Sequence, residues 1–390
     1  MAAPAGDVRV VHTCSVTTEA AVKSRQTVRR ATRLPVLGQR EETVPGIDAG
    51  DAKVIVTGCW AESDRAAAEA LPGVAAVLGH TDDIQSRLTN LLNDWLPKTA
   101  ATAVSSGRGM MSLPQLGERQ ATHQRAFLKV QDGCDAHCTY CIIPQLRPTL
   151  WSKTAADAVE EAQALVNAGH REIVLTGIFL GAFGQPTALR RRQPAGEKPL
   201  QSLVRALCTK VNGLARLRLS SMEPGDLDDA LIAEFKQHPQ IVPHFHLPLQ
   251  SGSDAVLRKM NRQYGRGQFI DMVDALRDAF DRPALTTDII AGFPGETDES
   301  FEETVAVVDH AKFLHIHAFP YSRRPNTAAA RWTGKAIPTA VTDARMDTLR
   351  QHRQSIRKRI RRRFYWRNGR GARRALQARP AAARAVRAVF

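Results

Sequence analysis

Long apolar runs are missing from this chain of 390 residues, and so is the pattern of a secretory leader. A membrane-spanning helix needs about 20 predominantly apolar residues in succession, and no segment comes close to that length. The first residues, MAAPAGDVRVVHTC, contain no basic stretch followed by an apolar one, which argues against a signal peptide. We therefore expect a cytoplasmic protein that does not bind a membrane.

Cysteine is also scarce, with six residues in the whole chain. Three of them fall between residues 134 and 141, so they are not spread as a disulfide framework would be. Few, clustered cysteines indicate a reducing compartment and a metal or redox role.

Acidic residues are absent from the C-terminal tail. The whole chain has 54 Lys and Arg against 39 Asp and Glu, and the 38 residues from Arg353 to Phe390 contain 14 of the former and none of the latter. The net charge of +15 therefore belongs to the tail, and the body is nearly neutral. The tail is either a nucleic-acid-binding segment or a low-complexity terminus, disordered or translationally aberrant.

Apolar runs alternate with helical stretches in residues 1–95. VRVVHTC and AKVIVTGCW have the pattern of buried parallel strands separated by a helix, and VAAVLGH follows as a third run. This order predicts a doubly wound parallel α/β domain, in which ligands bind at the carboxyl ends of the strands. Cys14 and Cys59 stand at two such ends, although each alone could be a small buried hydrophobe.

Residues 96–122 lack periodicity and are rich in small polar residues, which predicts a linker. In residues 123–345 six strand candidates alternate with helices, which predicts a partial (β/α)6 barrel of the TIM type with its active groups at the C-terminal mouth. The strand candidates are RAFLKVQD, EIVLTGIFL, RLRLSSM, HFHLPLQ, ALTTDIIAGF and FLHIHAFPYS. Residues 346–390 are predicted to form a basic helix and the tail.

The spacing C-x3-C-x2-C, formed by Cys134, Cys138 and Cys141, directly follows the first barrel strand. A structural zinc ion needs a fourth ligand, and His137 is too close to Cys138 to supply it. Three thiolates can hold three corners of a cubane [4Fe–4S] cluster and leave the fourth iron free for a small cofactor. The spacing favours such a cluster, with zinc as the alternative.

Four histidines occupy alternate positions on two strand candidates: His244, His246, His315 and His317. Each pair therefore shares a face. We expect them to form a polar lining of the barrel, and a second metal site is the alternative.

These motifs together resemble the methylthiotransferases of the radical S-adenosylmethionine superfamily. An aromatic residue, Tyr140, precedes the last cysteine of the loop, as in that superfamily. The resemblance covers residues 7–345 in the order that the family uses, through HTCSVTTEAAVKSRQ, VIVTGCWAE, FLKVQDGCDAHCTYCIIP, EIVLTGIFLGAFG, LRLSSMEP, HLPLQSGSDAVLRKM, TDIIAGFPGETDESF and FPYSRRPNTAAA. The segment LTGIFLGAFG looks most like the branch that acts on threonylcarbamoyladenosine in tRNA.

The resemblance implies that a cluster on the three loop cysteines binds S-adenosylmethionine and that one electron cleaves it to a 5′-deoxyadenosyl radical. The radical would activate C2 of the modified adenosine at position 37 of tRNA, where sulfur and a methyl group are installed. A second [4Fe–4S] cluster would rest on three cysteines of the N-terminal domain. Cys14 and Cys59 match two of them, and the third has no match in this chain. Cys208 lies on a predicted helix and is expected to be a buried apolar residue.

Further site residues follow from the barrel of this family. Tyr140 and polar groups at the ends of four strands suit the ribose and methionyl groups of the cofactor. These cofactor candidates are Tyr140, Thr176, Gly177, Ser221, Glu223, Gln250 and Asp288. The RNA candidates are Arg147 and the loop residues Arg190, Arg191 and Arg192, for which a solvated charge run is the alternative.

The expected partners are the anticodon loop of tRNA and a small electron donor such as flavodoxin or ferredoxin, with the chain as a monomer. Three segments depart from the family: His12 stands where Asn is usual, RPTLWSK replaces a basic stretch, and the tRNA-binding β-barrel domain is not readable after the barrel. The alternatives are the same chemistry on isopentenyladenosine in tRNA or on a ribosomal protein, and an incomplete homologue that binds cofactor or RNA without inserting sulfur.

Overall fold

The computed structural model describes residues 8–33, 53–80, 82–95, 124–194 and 196–367. Within these ranges the chain forms a small N-terminal α/β unit and a larger α/β unit in contact with it. The predicted linker lies outside the described residues, and so does the end of the predicted tail from residue 368 onward. No helix of the described ranges is both long enough and apolar enough to cross a membrane.

The N-terminal unit is a parallel sheet packed against helices. Its strands pair in the order β1–β2–β3, and its core surrounds the fully buried Trp60. The bounds are β1 Val8–Thr13, α1 Thr18–Arg33, β2 Lys53–Gly58, α2 Cys59–Ser63, α3 Arg65–Glu69, β3 Val74–Leu78 and α4 Ile84–Trp95. The three predicted apolar runs are thus the three strands, and Cys14 and Cys59 follow the ends of β1 and β2.

The larger unit contains all six strands predicted for it. Its strands are β4 Arg125–Lys129, β5 Gln131–Asp132, β6 Trp151–Ser152, β7 Glu172–Thr176, β8 Arg216–Leu219, β9 His244–His246, β10 Ala284–Ala291 and β11 His315–Pro320. Its helices are α5 Ile143–Leu146, α6 Ala155–Asn167, α7 Pro199–Lys210, α8 Asp229–Gln237, α9 Asp254–Lys259, α10 Arg266–Ala279, α11 Asp298–Ala311 and α12 Thr339–Arg367. The first predicted strand is divided, because β5 leaves the sheet and pairs with β6 in a short antiparallel ribbon.

The six main strands follow one another around an open barrel. One parallel sheet has the order β4–β7–β8 and another the order β9–β10–β11, and single bridges between Leu217 and Ile241 and between Ser221 and His246 join them. Within the described ranges no ladder connects β4 to β11, so the barrel is open along that side. This is the partial (β/α)6 barrel that the sequence predicts.

Alternation along the strands separates the core from the barrel interior. Leu128, Ile173 and Leu217 point outward into one apolar core with the surrounding helices. The positions between them face inward and are mostly polar or charged. Threonine caps fix two of the surrounding helices: the side chains of Thr154 and Thr297 accept hydrogen bonds at the starts of α6 and α11.

Candidate functional site

The three predicted cluster cysteines lie on one loop between β5 and α5. Gly133 begins this loop with φ at 79°, and a Cβ there would lie 2.0 Å from the carbonyl oxygen of Thr149. Farther along, the backbone N–H of Thr139 donates to the carbonyl of Met260 over 3.0 Å. The loop is thus held at its start and its middle, which keeps the three thiols on a short, fixed segment.

All three thiols are half-buried and free of disulfides. Burial raises the pKa of Cys134 to about 11 and that of Cys141 to about 12, and the adjacent Cys138 adds to both shifts. Burial disfavours the charged thiolate, so such thiols become ionised when the positive charge of a bound metal stabilises it. Three sulfur donors on one loop fit three corners of a cubane cluster, which leaves one iron open.

A buried arginine, Arg262, connects the cysteine loop to the strand ends. Its guanidinium donates to Cys138 Sγ and to the Tyr140 hydroxyl, each over 3.3 Å, and also to the carboxylate of Glu223. A cation beside a cluster thiolate stabilises added negative charge, so it favours a reduced cluster. The sequence contains no signal for this residue, because the segment NRQY after α9 matches no ligand spacing.

Glu223 is the centre of a buried network of charges. Arg190 donates from Nη2 to Glu223 over 2.9 Å and from Nε to Asp226 over 2.8 Å. With Arg262, the network holds two cations and two carboxylates, which compensate one another away from water. Asp226 lies directly under Gly181, where a Cβ would be 2.2 Å from its carboxyl carbon. Like Arg262, Asp226 was not predicted from the sequence.

The structure gives Arg190 a role inside the protein, and its predicted phosphate contact stays a prediction. Its guanidinium forms ion pairs with two carboxylates, Glu223 and Asp226. Arg191 and Arg192 lie on the same short 3-10 turn and are exposed. A contact of these two residues with RNA stays a prediction.

A cavity of about 170 Å³ opens beside the charge network, at the carboxyl ends of the strands. Four predicted cofactor residues line it, namely Ser221, Glu223, Gln250 and Asp288, and Arg262 joins them. Carboxylates, an amide and a hydroxyl in one concave site suit the hydroxyl and ammonium groups of a small cofactor. The structure therefore brings these four residues together, and their binding role stays a prediction.

The other three predicted cofactor residues are not part of the lining of this cavity. Tyr140 packs edge-on against Phe293, with 6.5 Å between the ring centres. The carbonyl of Thr176 accepts a backbone hydrogen bond of 2.9 Å. A Cβ at Gly177 would lie 3.0 Å from the side chain of Gln131, so packing accounts for the glycine. Their contacts with a cofactor stay predictions.

The two N-terminal cysteines stand at the carboxyl ends of neighbouring parallel strands. Cys14 is exposed, whereas Cys59 is buried against Ile142 and Leu146, which directly follow the cysteine loop of the larger unit. His80 approaches the same thiol, with Nε2 3.6 Å from Cys59 Sγ. The second group of cysteines therefore adjoins the first across the contact between the units, and its role as a cluster site stays a prediction.

Arg147 joins the two units, and its contact with RNA stays a prediction. Its Nη1 donates to both carboxylate oxygens of Asp132, over 2.6 and 2.8 Å, and its Nη2 lies 2.8 Å from His80 Nε2. Only 12% of the side chain is exposed. Burial, with the Arg147 charge as the second cause, lowers the pKa of His80 to about 4, so the imidazole is neutral near pH 7 and accepts the hydrogen bond.

Comparison with known proteins identifies the superfamily of this chain. Residues 128–308 match the model of the Radical SAM superfamily, and residues 2–79 match that of the Uncharacterized protein family UPF0004. A solved structure of the radical S-adenosylmethionine methyltransferase TsrM from Kitasatospora setae aligns with a TM-score of 0.57, at 14% identity, over 83% of this chain and 63% of that one. The open barrel and the cysteine loop are those of a radical S-adenosylmethionine protein.

Curated relatives identify the family within this superfamily. The threonylcarbamoyladenosine tRNA methylthiotransferases MtaB of Bacillus subtilis and Thermotoga maritima are 36% and 34% identical to this chain over 83% and 91% of its length, which correspond to 67% and 75% of theirs. The tRNA-2-methylthio-N(6)-dimethylallyladenosine synthase of a Parafrankia species is 38% identical over 75% of this chain and 57% of its own. The chain belongs to the radical S-adenosylmethionine methylthiotransferase family.

Proposed function

We propose that this protein transfers a methylthio group to C2 of N6-threonylcarbamoyladenosine at position 37 of tRNA. The observation that carries the proposal is the contact between two cysteine sites, in which Cys59 packs on Ile142 and Leu146 next to the C-x3-C-x2-C loop. The chemistry needs a radical generated at one site and sulfur delivered from another, and this arrangement keeps the two sites adjacent.

The residues of the larger unit have distinct roles in this proposal. Cys134, Cys138 and Cys141 hold a [4Fe–4S] cluster, which supplies the electron that cleaves S-adenosylmethionine. Arg262 stabilises the Cys138 thiolate by its hydrogen bond of 3.3 Å. The cavity lined by Ser221, Glu223, Gln250 and Asp288 binds the cofactor and shields it from water.

The choice of nucleoside is supported by how far the relatives match. MtaB relatives align over 83 to 91% of this chain, and those that act on dimethylallyladenosine over 61 to 77%. The relatives' names also favour tRNA over a ribosomal protein as the substrate. We further propose that a low-potential protein such as flavodoxin or ferredoxin donates the electron. The protein itself is proposed to be cytoplasmic and monomeric.

The test uses the full chain, reconstituted anaerobically with iron and sulfide and given S-adenosylmethionine and a reductant. Transfer RNA carrying threonylcarbamoyladenosine and tRNA carrying isopentenyladenosine are offered separately, and digested nucleosides are analysed by mass spectrometry. We expect the methylthio product from the first tRNA, and no product with Cys134→Ala. Cys208→Ala is the matched control, because Cys208 lies on the buried face of α7, in the apolar core.

The outcomes separate the alternatives. A product from isopentenyladenosine alone would move the protein to the other branch. Cleavage of S-adenosylmethionine with no product from either tRNA would identify a homologue that does not insert sulfur. Iron analysis in the same samples counts the clusters, since two [4Fe–4S] clusters contain about eight irons per chain and one contains about four.

A further inference from the structure

A group of three metal-binding side chains lies on the inner face of the barrel, on strands β9, β10 and β11. In the sheet register His246 is paired with Thr286, and Asp288 is paired with His317. Paired residues of parallel strands point to the same side, so all four side chains face the interior. Neither the cysteine sites nor the charge network includes His246 or His317.

The distances between the possible ligand atoms suit one ion. One atom each from His246, Asp288 and His317 can be chosen so that all three lie within 4.8 Å of one another. His246 Nε2 and Asp288 Oδ2 are 3.2 Å apart. Two ligands at about 2.1 Å from a tetrahedral or octahedral ion are roughly 3 Å apart, so this pair already has the spacing of neighbouring ligands.

The second nitrogen of His246 has the partner that a metal-binding histidine needs. Its Nδ1 lies 3.0 Å from the hydroxyl oxygen of Thr286, a residue that is 5% exposed. Such a contact fixes the orientation of the ring and directs the other nitrogen toward the ion. The ring of His317 stands edge-on to that of His246, with 5.8 Å between their centres. His317 is therefore close enough to supply the third ligand.

We propose that His246, Asp288 and His317 form a binding site for one divalent transition-metal ion, such as Zn²⁺, Mn²⁺ or Fe²⁺. Two imidazoles and one carboxylate are the donor set that such ions share, and three protein ligands leave further positions open. A polar barrel lining alone accounts for a hydrogen bond between His246 and Asp288. The strand register places His317 beside Asp288, and the proposed ion adds one common partner for all three side chains.

The proposed site adjoins the cofactor cavity, because the two share Asp288. Its third ligand, His317, is exposed. If the proposed function holds, the threonylcarbamoyl group of the substrate carries a carboxylate and a hydroxyl, which are oxygen ligands for such an ion. The isopentenyl group has no oxygen and cannot bind in this way.

The probe is Mn²⁺ alone, added to the full chain with its iron–sulfur sites reconstituted and oxidised. Mn²⁺ prefers oxygen and nitrogen ligands to thiolates, and its EPR spectrum loses intensity when the free ion is bound. We expect one Mn²⁺ per chain, and at least about tenfold weaker binding in His317→Ala and in Asp288→Asn. His315→Ala is the matched control, because His315 lies on the same strand and face, with its ring centre 4.2 Å from that of His317.

Three results would overturn the site: no saturable binding by the wild type, undiminished binding by His317→Ala, or an equal loss in His315→Ala. Circular dichroism of each variant shows whether the fold is retained. Repeating the titration with threonylcarbamoyladenosine and with isopentenyladenosine tests the substrate ligand, because a nucleoside that binds the ion must tighten Mn²⁺ binding. Equal effects of the two nucleosides would reject that ligand. Saturable Mn²⁺ binding by a chain that leaves tRNA unmodified would retain the metal site and reject the proposed function.

Discussion

Gly181 covers the carboxylate of Asp226, which is part of the buried charge network. A Cβ at this position would lie 2.2 Å from the carboxyl carbon, so Gly181→Ala must displace Asp226 and with it Arg190. We expect the free energy of unfolding to fall by about 1–3 kcal/mol, the usual cost of overpacking a buried site. Urea denaturation measures this free energy. The affinity for S-adenosylmethionine should fall as well, because Glu223 lies in the same charge network.

A second glycine gives the control for that substitution. Gly267 lies in helix α10, and a Cβ there would have no heavy atom within 4 Å. Gly267→Ala should leave stability unchanged or raise it by up to about 1 kcal/mol, because alanine is the better helix former. If the two alanine variants were equally stable, the close contact over Asp226 would not matter.

Single residues could be predicted from the sequence where their chemistry is local. The spacing of Cys134, Cys138 and Cys141 lies within eight residues and identifies the loop directly. Arg190 and Arg147 could not be interpreted in this way, because their partners Asp226 and His80 lie 36 and 67 residues away in the chain. An arginine in a basic loop looks exposed until the fold brings a buried carboxylate or an imidazole to it.

Helices α7 and α8 are joined by an ion pair that predicts a pH dependence. Arg205 Nη2 lies 2.6 Å from Glu234 Oε2, and His238 lies 2.8 Å from the other oxygen. The bond with Arg205 lowers the pKa of Glu234 from 4.5 to about 2. The unfolded chain therefore binds the proton more tightly, so this stabilisation is present above pH 4.5 and is lost as the pH falls toward 2.

Glu234→Gln should remove part of that acid dependence. We expect unfolding free energy at pH 7 to fall by about 1–3 kcal/mol, with a flatter decline between pH 5 and pH 2, in urea titrations at several pH values. Glu197→Gln is the matched control, since Glu197 binds the same arginine over 3.0 Å but is 48% exposed. Its effect should stay below about 1 kcal/mol. Parallel pH profiles for wild type and Glu234→Gln would contradict this account.

Strands and helices of the barrel were predictable because their apolar periods are long and regular. All six main strands lie where the apolar runs indicate. The basic helix was predicted within residues 346–390, and α12 begins earlier and extends over Thr339–Arg367. The ribbon of β5 and β6 was missed, because two residues per strand are too few for any period to show. Its pairing depends on β5 leaving the sheet, which only the tertiary structure determines.

The two units of the molecule are joined by a small set of contacts. Cys59 packs on Ile142 and Leu146, and Arg147 bridges Asp132 of the larger unit to His80 of the N-terminal unit. At a third point, the backbone N–H of Thr18 donates to the hydroxyl of Ser322 over 3.1 Å. Since the proposed sulfur transfer needs both cysteine sites together, this contact should matter for activity as much as for stability.

Arg147→Met tests this role against a contact with RNA. Loss of the guanidinium removes the bond to His80 and leaves Asp132 with Lys129, its other ion-pair partner. We expect calorimetry to show that the N-terminal unit unfolds at a temperature several degrees lower, since each kcal/mol of lost stability lowers the midpoint by roughly 2–4 °C. The affinity for tRNA should change less than about twofold. Arg191→Met, on the exposed turn, should do the opposite and weaken tRNA binding without moving the heat transition. A variant of Arg147 that unfolds like the wild type but loses tRNA binding would support the predicted contact with RNA, and the two units would then need another connection.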